Sequence, residues 1–376
     1  MKKLIISILL IAIVVLACFK LYESMLGPVA IDENIDYSEY EKLYYYNKLN
    51  EEQKELYIKL DISIDNLDRK IHLGFINNEN VKSDIDKVLR AITNDKPEYY
   101  FLPNEYKVKT IELLFIKYIY IEIDYSVKNE YERERKDKQM YSVVQDILYK
   151  TVNDSMTDIE KQIAIHDELM ERVTYYEYQD INEIPNEKHN AYEVLVNKEG
   201  VCDGISKALS ILYNEVGIET IIVIGKSNGI AHAWNIVKLD GEYYHLDATS
   251  NAIDINNVKY VVHNYFNLTD EEISKTHIIS NEYSVPKCNG TKYNYYEYNG
   301  YTIKYEESMK HKLMKIMEKQ SGNSVLELKM DKLYSLQNLL ETLYFLDFNN
   351  WYTDGKTSVS YHSSENIYIF ENKNKR

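Results

Sequence analysis

Residues 231–249 read Ala231-His232-Ala233-Trp234-Asn235-Ile236-Val237-Lys238-Leu239, then Asp240-Gly241, then Glu242-Tyr243-Tyr244-His245-Leu246-Asp247-Ala248-Thr249. Asp-Gly between two apolar runs is a strong signal for a two-residue hairpin turn. With that turn Leu239 faces Glu242, so facing residue numbers share a constant sum. Trp234 then faces Asp247 and His232 faces Thr249. Side chains two apart share a face of a strand, which puts His232 and Asp247 diagonally on one side of the sheet. Diagonal neighbours are ~7–8 Å apart at the backbone, within reach of an imidazole–carboxylate hydrogen bond. A one-residue slip would separate them onto opposite faces. His245 shares the face and is the competing histidine.

Upstream, Glu199-Gly200-Val201-Cys202-Asp203-Gly204 leads into a helical pattern with Ile205, Ala208, Leu209 and Leu212 at i, i+3, i+4 and i+7, and Gly217 is a natural stop. Cys202 is therefore expected at a helix N-terminus. The dipole and free N–H groups there favour a thiolate and can stabilise an oxyanion. The apolar strand Thr220–Ile224 lies between helix and hairpin. In this arrangement His232 polarises the thiol, and Asp247 orients the ring and stabilises its charged form.

The order of these pieces resembles the bacterial transglutaminase-like domain: Cys202 at a helix start, His232 in His-Ala-Trp-Asn, Asp247 in Tyr-His-Leu-Asp-Ala-Thr. Ile165-His166-Asp167 with Val173-Thr174-Tyr175, and Asn190-Ala191-Tyr192, resemble the segments leading to the family's nucleophile. Asp95-Lys96-Pro97-Glu98 and Tyr265 to Asp270 resemble its flanks. The likeness is closest over Thr157–Thr249, looser from Asn50 to Cys288, and fades beyond Tyr305. It implies an α+β fold with the papain-like core, a nucleophile helix packed on an antiparallel sheet. It also implies that Cys202, His232 and Asp247 are the catalytic residues, with no metal or organic cofactor. Where the family often has Cys-x-Gly-Tyr-Ala, this chain has Cys202-Asp203-Gly204-Ile205-Ser206, which bears on substrate fit. Tyr192 and Asn190 are candidates for a second oxyanion donor, and each also fits a structural role.

The flanks divide the 376 residues further. Met1-Lys2-Lys3 followed by the apolar run Leu4–Phe19 reads as an export signal over residues 1–24: an uncleaved anchor, a lipoprotein signal with Cys18 lipidated, or a cleaved signal. Residues 29–150 read as mostly helical with a strand pair, the helix after Asn50 being capped and Tyr118–Asp124 alternating as a strand. Residues 151–290 hold the catalytic domain. The run 300–376 reads as a small α+β unit, with helix faces at Met309, Leu313, Ile316, Met317 and at Leu333, Leu336, Leu340, Leu343, and strands at Leu326–Met330 and Ile367–Ile369. His166, on the apolar face of a helix capped at Thr157, reads as a core histidine. The mixed charges of Lys128–Lys138 read as a solvated face.

A net charge of −16 argues against a nucleic-acid partner. No Cys/His spacing signals zinc. Of three cysteines, Cys202 and Cys288 remain outside the leader, and a disulfide between them is the plain alternative to a reactive thiol. The functional expectation is a membrane-attached, outward-facing cysteine enzyme acting on a carboxamide or peptide carbonyl of a protein at the cell envelope. The acyl acceptor, an amine or water, is left open, as is the oligomeric state. The rival readings are a binding or scaffold module that keeps the fold, and an adhesion protein with long Tyr-rich flanks.

Overall fold

The computed structural model describes residue 13 and residues 36–75, 80–113, 116–255, 257–304, 309–331, 359–362 and 366–371. The leader expected over residues 1–24, apart from residue 13, and the leucine-rich helix expected over 333–343 lie outside the described residues. Among the described residues no helix is long and apolar enough to cross a membrane. The chain forms two compact units, Met1–Gln139 and Met140–Arg376.

In the first unit, helix α1 (Glu51–Asp65) starts at a capping box in which Asn50 and Gln53 exchange side chain-to-backbone bonds. It buries Tyr57, Ile58, Leu60 and Ile64, and α2 (Val81–Asp95) buries Ile85, Val88, Leu89 and Ile92. Burying each of these apolar side chains stabilises the fold by roughly 1.5–3 kcal/mol. Tyrosines serve as core here because their hydroxyls find acceptors: buried Tyr57 donates to Asp95 at 3.3 Å and buried Tyr99 to Asp61 at 2.9 Å. The sheet has three strands, not the expected pair: β1 (Lys70–Phe75), β2 (Lys107–Leu113) and β3 (Ile116–Glu122), with β3 in the centre. The central strand alternates clearly. Strand β1 alternates too, Ile71, Leu73 and Phe75 against Lys70, His72 and Gly74, but over six residues and with a register shift between His72 and Gly74, and lysine-bearing β2 does not alternate. Helix α3 (Glu130–Thr151) begins in this unit and ends in the second.

The second unit is built on a five-stranded antiparallel sheet in the order β11-β8-β7-β6-β12. Its strands are β6 (Thr220–Ser227), β7 (Ile230–Leu239), β8 (Glu242–Leu246), β11 (Phe266–Leu268) and β12 (His277–Ile279). A side hairpin, β9 (Ala252–Ile255) and β10 (Val258–Val261), precedes β11. Helix α4 (Asp158–Arg172) opens with the Thr157/Glu160 capping box. The two-residue strands β4 (Thr174–Tyr175) and β5 (Glu199–Gly200) pair in parallel. Helix α5 (Cys202–Glu215) follows and packs on β6 and β7 through Ile205, Ala208, Leu209 and Leu212, all at most 1% exposed. Asn235 ties strand to helix, its Nδ2 donating to the Ser206 carbonyl at 3.0 Å. This is an α+β, papain-like core.

The Asp240-Gly241 turn forms with φ +49° and +82°, the left-handed pair that a two-residue hairpin requires. Leu239 faces Glu242 and Asn235 faces Leu246, as the turn dictates. The return strand is shorter than expected, ending at Leu246 rather than Thr249. Asp247 turns its backbone N–H to the Tyr265 carbonyl and Ala248 enters the helical region, so Thr249 starts a 3-10 turn instead of facing His232.

Beyond the core, β13 (Thr302–Ile303), helix α6 (Met309–Lys319), β14 (Val325–Met330), β15 (Val359–His362) and β16 (Ile367–Glu371) follow. The strands form a sheet ordered β13-β14-β16-β15. Leu313 and Ile316 of α6 are buried, as are Leu326, Leu328 and Met330 of β14 and Ile367 and Ile369 of β16.

Candidate active site

Cys202 is the first residue of α5, after an extended Val201 whose side chain provides no cap. The first-turn N–H groups thus remain directed at the space beside the thiol. Cys202 is half-buried and free, and Cys288 is also free, so no disulfide joins them. The Cys202 thiol faces the His232 ring. Tyr175, on the short ladder beside Gly200, turns its hydroxyl toward the backbone N–H of Cys202.

His232 lies on β7, and its Nε2 donates to Asp247 Oδ2 at 2.9 Å. That leaves Nδ1 for the thiol. The ring is largely buried, which disfavours its charged form. The Asp247 carboxylate on one side and Cys202 on the other more than offset this and push the imidazole up to about 10. Asp247 is fully buried, which works to raise its pKa, yet the charged His232 and hydrogen bonds from His232, His277 and Ser250 hold it well below the usual carboxylate range. Ser250 donates twice, from Oγ to Oδ2 at 2.5 Å and from its backbone N–H to Oδ1 at 3.2 Å. His277 Nε2 reaches Oδ2 at 3.1 Å. Cys202, His232 and Asp247 are therefore brought together in that order.

His245, the competing histidine, shares the sheet face but has other partners. The Trp234 indole donates to its Nδ1 at 3.0 Å, which leaves the proton on Nε2 to bond Asp270 at 3.0 Å. The Cys288 thiol donates to the Pro286 carbonyl at 3.8 Å, and burial, with the Asp270 carboxylate beside it, pushes the thiol up, away from the reactive form. Asn190, a candidate oxyanion donor in sequence, instead caps a turn, its Oδ1 accepting from the Glu193 N–H at 2.8 Å. His277, Ser250 and Tyr175 are the site residues that sequence reasoning missed as such. Ser250 had a readable signal, an Asp followed three residues later by Ser, the spacing of a side-chain turn. His277 had none.

His166 is fully buried, and its surroundings fix its tautomer. The Tyr265 N–H occupies Asn251 Oδ1, so Asn251 Nδ2 donates to His166 Nε2 at 3.1 Å, and His166 Nδ1–H donates to Asp167 at 2.8 Å. On the other side of Asp167, His263 gives Nε2–H to Asp167 and Nδ1–H to Glu327 of β14, both at 2.9 Å. Burial opposes a charged His263, but the carboxylates of Glu327 and Asp167 push it up to about 10.

Among the described residues, three groups bring metal-ligating atoms close together: His166, Asp167, His263; His232, Asp247, His277; and His245, Asp270, Cys288. In the first two, hydrogen bonds between the same atoms account for the approach, and in the third a His245–Asp270 bond does so beside Cys288.

Residues 145–248 match the model of the transglutaminase-like superfamily. No curated protein sequence matches the chain. Among solved structures, one described as a TGase aligns at 19% identity with a TM-score of 0.28, covering 48% of this chain and 50% of that one. A candidate cysteine protease from Cytophaga hutchinsonii aligns at 13% identity and a TM-score of 0.24, covering 39% and 62%. Menin, in the structure that shows its binding site for the Mixed Lineage Leukemia protein, aligns at 12% identity and a TM-score of 0.25, covering 41% and 34%. The chain spans about half the length of the first of these. The family match falls on the helix, strands and hairpin that assemble the site, so residues 145–248 form a transglutaminase-like domain.

Proposed function

We propose that the protein is a cysteine acyltransferase or hydrolase acting on a carboxamide or peptide carbonyl, with Cys202 as nucleophile, His232 as acid–base and Asp247 as orienting carboxylate. The observation that carries this reading is a single one. The thiol at the start of α5 faces a histidine whose far nitrogen is held by a fully buried carboxylate.

The chemistry follows from the protonation states. A charged His232 beside Cys202 pairs with a thiolate, which attacks the carbonyl carbon. The developing oxyanion meets the Cys202 N–H, with the Tyr175 hydroxyl turned to the same spot. His232 gives its proton to the departing nitrogen, the C–N bond breaks, and a thioester on Cys202 remains. An incoming amine or water then returns a proton to His232 as it attacks the thioester, and the thiolate leaves. Asp247 stays ionised throughout and keeps Nε2–H of His232 pointing away from the thiol. No step calls on a metal or organic cofactor.

The substrate class this implies is a protein or peptide. The apolar run after Lys2-Lys3 supports placing the body outside the cytoplasm, attached to the membrane through residues 1–24. The enzymatic reading is tested by incubating the protein with a glutamine peptide, with and without a primary amine, and weighing the products. Loss of ammonia that depends on Cys202 supports it, and turnover that survives Cys202→Ala refutes it. Location is tested separately. Protease added to intact cells should remove residues 50–376, and their survival until lysis would contradict outward placement.

A further inference from the structure

The hydrogen bonds around Asp247 extend past the three residues of the proposed mechanism. Strand β12 lies at the edge of the sheet, paired only with β6 among the described residues, His277 facing Ser227 and Ile279 facing Gly225. Gly225 permits this approach, because a Cβ there would sit 2.2 Å from the Ile278 carbonyl and 2.9 Å from the Trp234 ring. Ile278 points outward, 68% exposed, while its neighbour His277 points inward, 3% exposed. An inward position on an edge strand is ordinarily apolar, and a polar ring there is costly unless it is bonded. His277 is bonded at both nitrogens. The Thr276 hydroxyl meets Nδ1 at 2.8 Å, and Nε2 lies 3.1 Å from Asp247 Oδ2. A carboxylate can only accept, so His277 donates from Nε2, and Thr276 donates to Nδ1. His232 donates to that same Oδ2 from the opposite strand.

We infer that His277 is a positioning residue for the site, a fourth member that pins the Asp247 carboxylate so that Oδ2 stays directed at His232. The inference rests on the proposed function above. Ser250 also bonds Oδ2, and its N–H holds Oδ1, but both of its bonds come from the residue's own turn and would follow the carboxylate if it swung. His277 comes from a separate strand, fixed against Trp234 and Tyr265 by edge-on ring contacts at 4.9 and 5.6 Å. It is thus the reference point, independent of the β8 end, against which Asp247 is aligned. The titratable groups that face it are Asp247 itself, His232 on β7, at 5.6 Å between rings, His245 on β8, and the Tyr265 phenol just before β11.

The test is the rate of Cys202 alkylation by iodoacetamide across a pH series, read by peptide mass spectrometry. It compares wild type, His277→Phe, which keeps the ring packing and removes the donor, and His277→Gln, whose amide N–H reaches to a similar place. His277→Phe should slow labelling at pH 6 by about tenfold or more and move the rise of the profile to higher pH, while His277→Gln stays within about threefold of wild type. The effect should also vanish on an Asp247→Asn background, since residues that act through one another are non-additive. A purely structural His277 would instead lower the melting temperature, leave the labelling profile unmoved, and add its effect to that of Asp247→Asn. His277→Leu takes the place of the Phe variant if that chain does not fold. The inference is overturned if the donor-free variants match wild type, if Gln behaves as Phe does, or if the two losses multiply. A wild-type profile indifferent to His232→Ala would instead sink the proposed function itself, and this inference with it.

Discussion

Asp247 accepts hydrogen bonds from His232, His277 and both donors of Ser250 while fully excluded from solvent. Replacing it by Asn keeps the shape but puts an amide N–H where the ring needs an acceptor, favouring the wrong imidazole tautomer. Asp247→Asn should therefore fold and lose on the order of 10³–10⁴-fold in kcat for acyl transfer, checked by steady-state kinetics alongside circular dichroism. If His245→Ala abolishes activity and Asp247→Asn does not, the wrong polar partner has been assigned. Tyr175 belongs to the same scale. In the proposed mechanism its hydroxyl, beside the Cys202 N–H, joins that N–H at the oxyanion, so Tyr175→Phe should lower kcat by about 10²-fold with little change in KM. An equal kcat would leave the Cys202 N–H acting without it.

Elements deliver these residues, and their delivery explains what could be read in advance. The hairpin was legible because Asp240-Gly241 sets the register locally, and the register carries His232 and Asp247 to one face. The helix that begins at Cys202 was legible from its apolar spacing and Gly217. The end of β8 was not legible, because Asp247 leaves the ladder for Tyr265 and Ser250, partners set by tertiary contact rather than by strand period. His277 was out of reach for the same reason. A three-residue edge strand has no periodicity of its own, and only the five-stranded sheet brings it to a carboxylate 30 residues earlier in the chain. Gly225 is the sequence feature that makes room for it. Gly225→Ala should displace β12 and cost about 1–3 kcal/mol of stability, an overpacking penalty, measured by urea titration. Its loss of activity should exceed the loss of folded protein, because His277 and Trp234 shift together.

On the scale of the second unit, Glu327 ties the C-terminal sheet to the core through His263, which bonds Asp167 of α4 in turn. Tyr296 adds a bond to Glu327 at 2.9 Å, and Tyr295 stacks on His263 at 3.6 Å. The His263 pKa of about 10 lies above the 6.5 of an ordinary histidine. Its contribution to stability is thus fully present below pH 6.5 and is lost as the pH rises toward 10. Thermal melts between pH 6.5 and 10 should fall with pH in wild type and fall less in His263→Gln. At pH 6.5 Glu327→Gln should cost roughly 3–5 kcal/mol, as expected when one partner of a buried pair is removed. A wild-type melt flat across that window would contradict a charged His263. Nothing in the sequence signalled this pairing, since His263 and Glu327 lie 64 residues apart with no motif between them.

The proposed function requires Cys202 to act as a nucleophile prepared by His232 and Asp247. The most direct measurement is the intact mass of the protein, acid-quenched within one turnover of a glutamine-peptide substrate, with the adduct mapped by fragmentation. The expected result is a mass gain equal to the peptide less ammonia, carried on Cys202, absent in Cys202→Ala and formed far more slowly in His232→Ala and Asp247→Asn. An adduct elsewhere, or one that forms on Cys202 at the wild-type rate without His232, would contradict it.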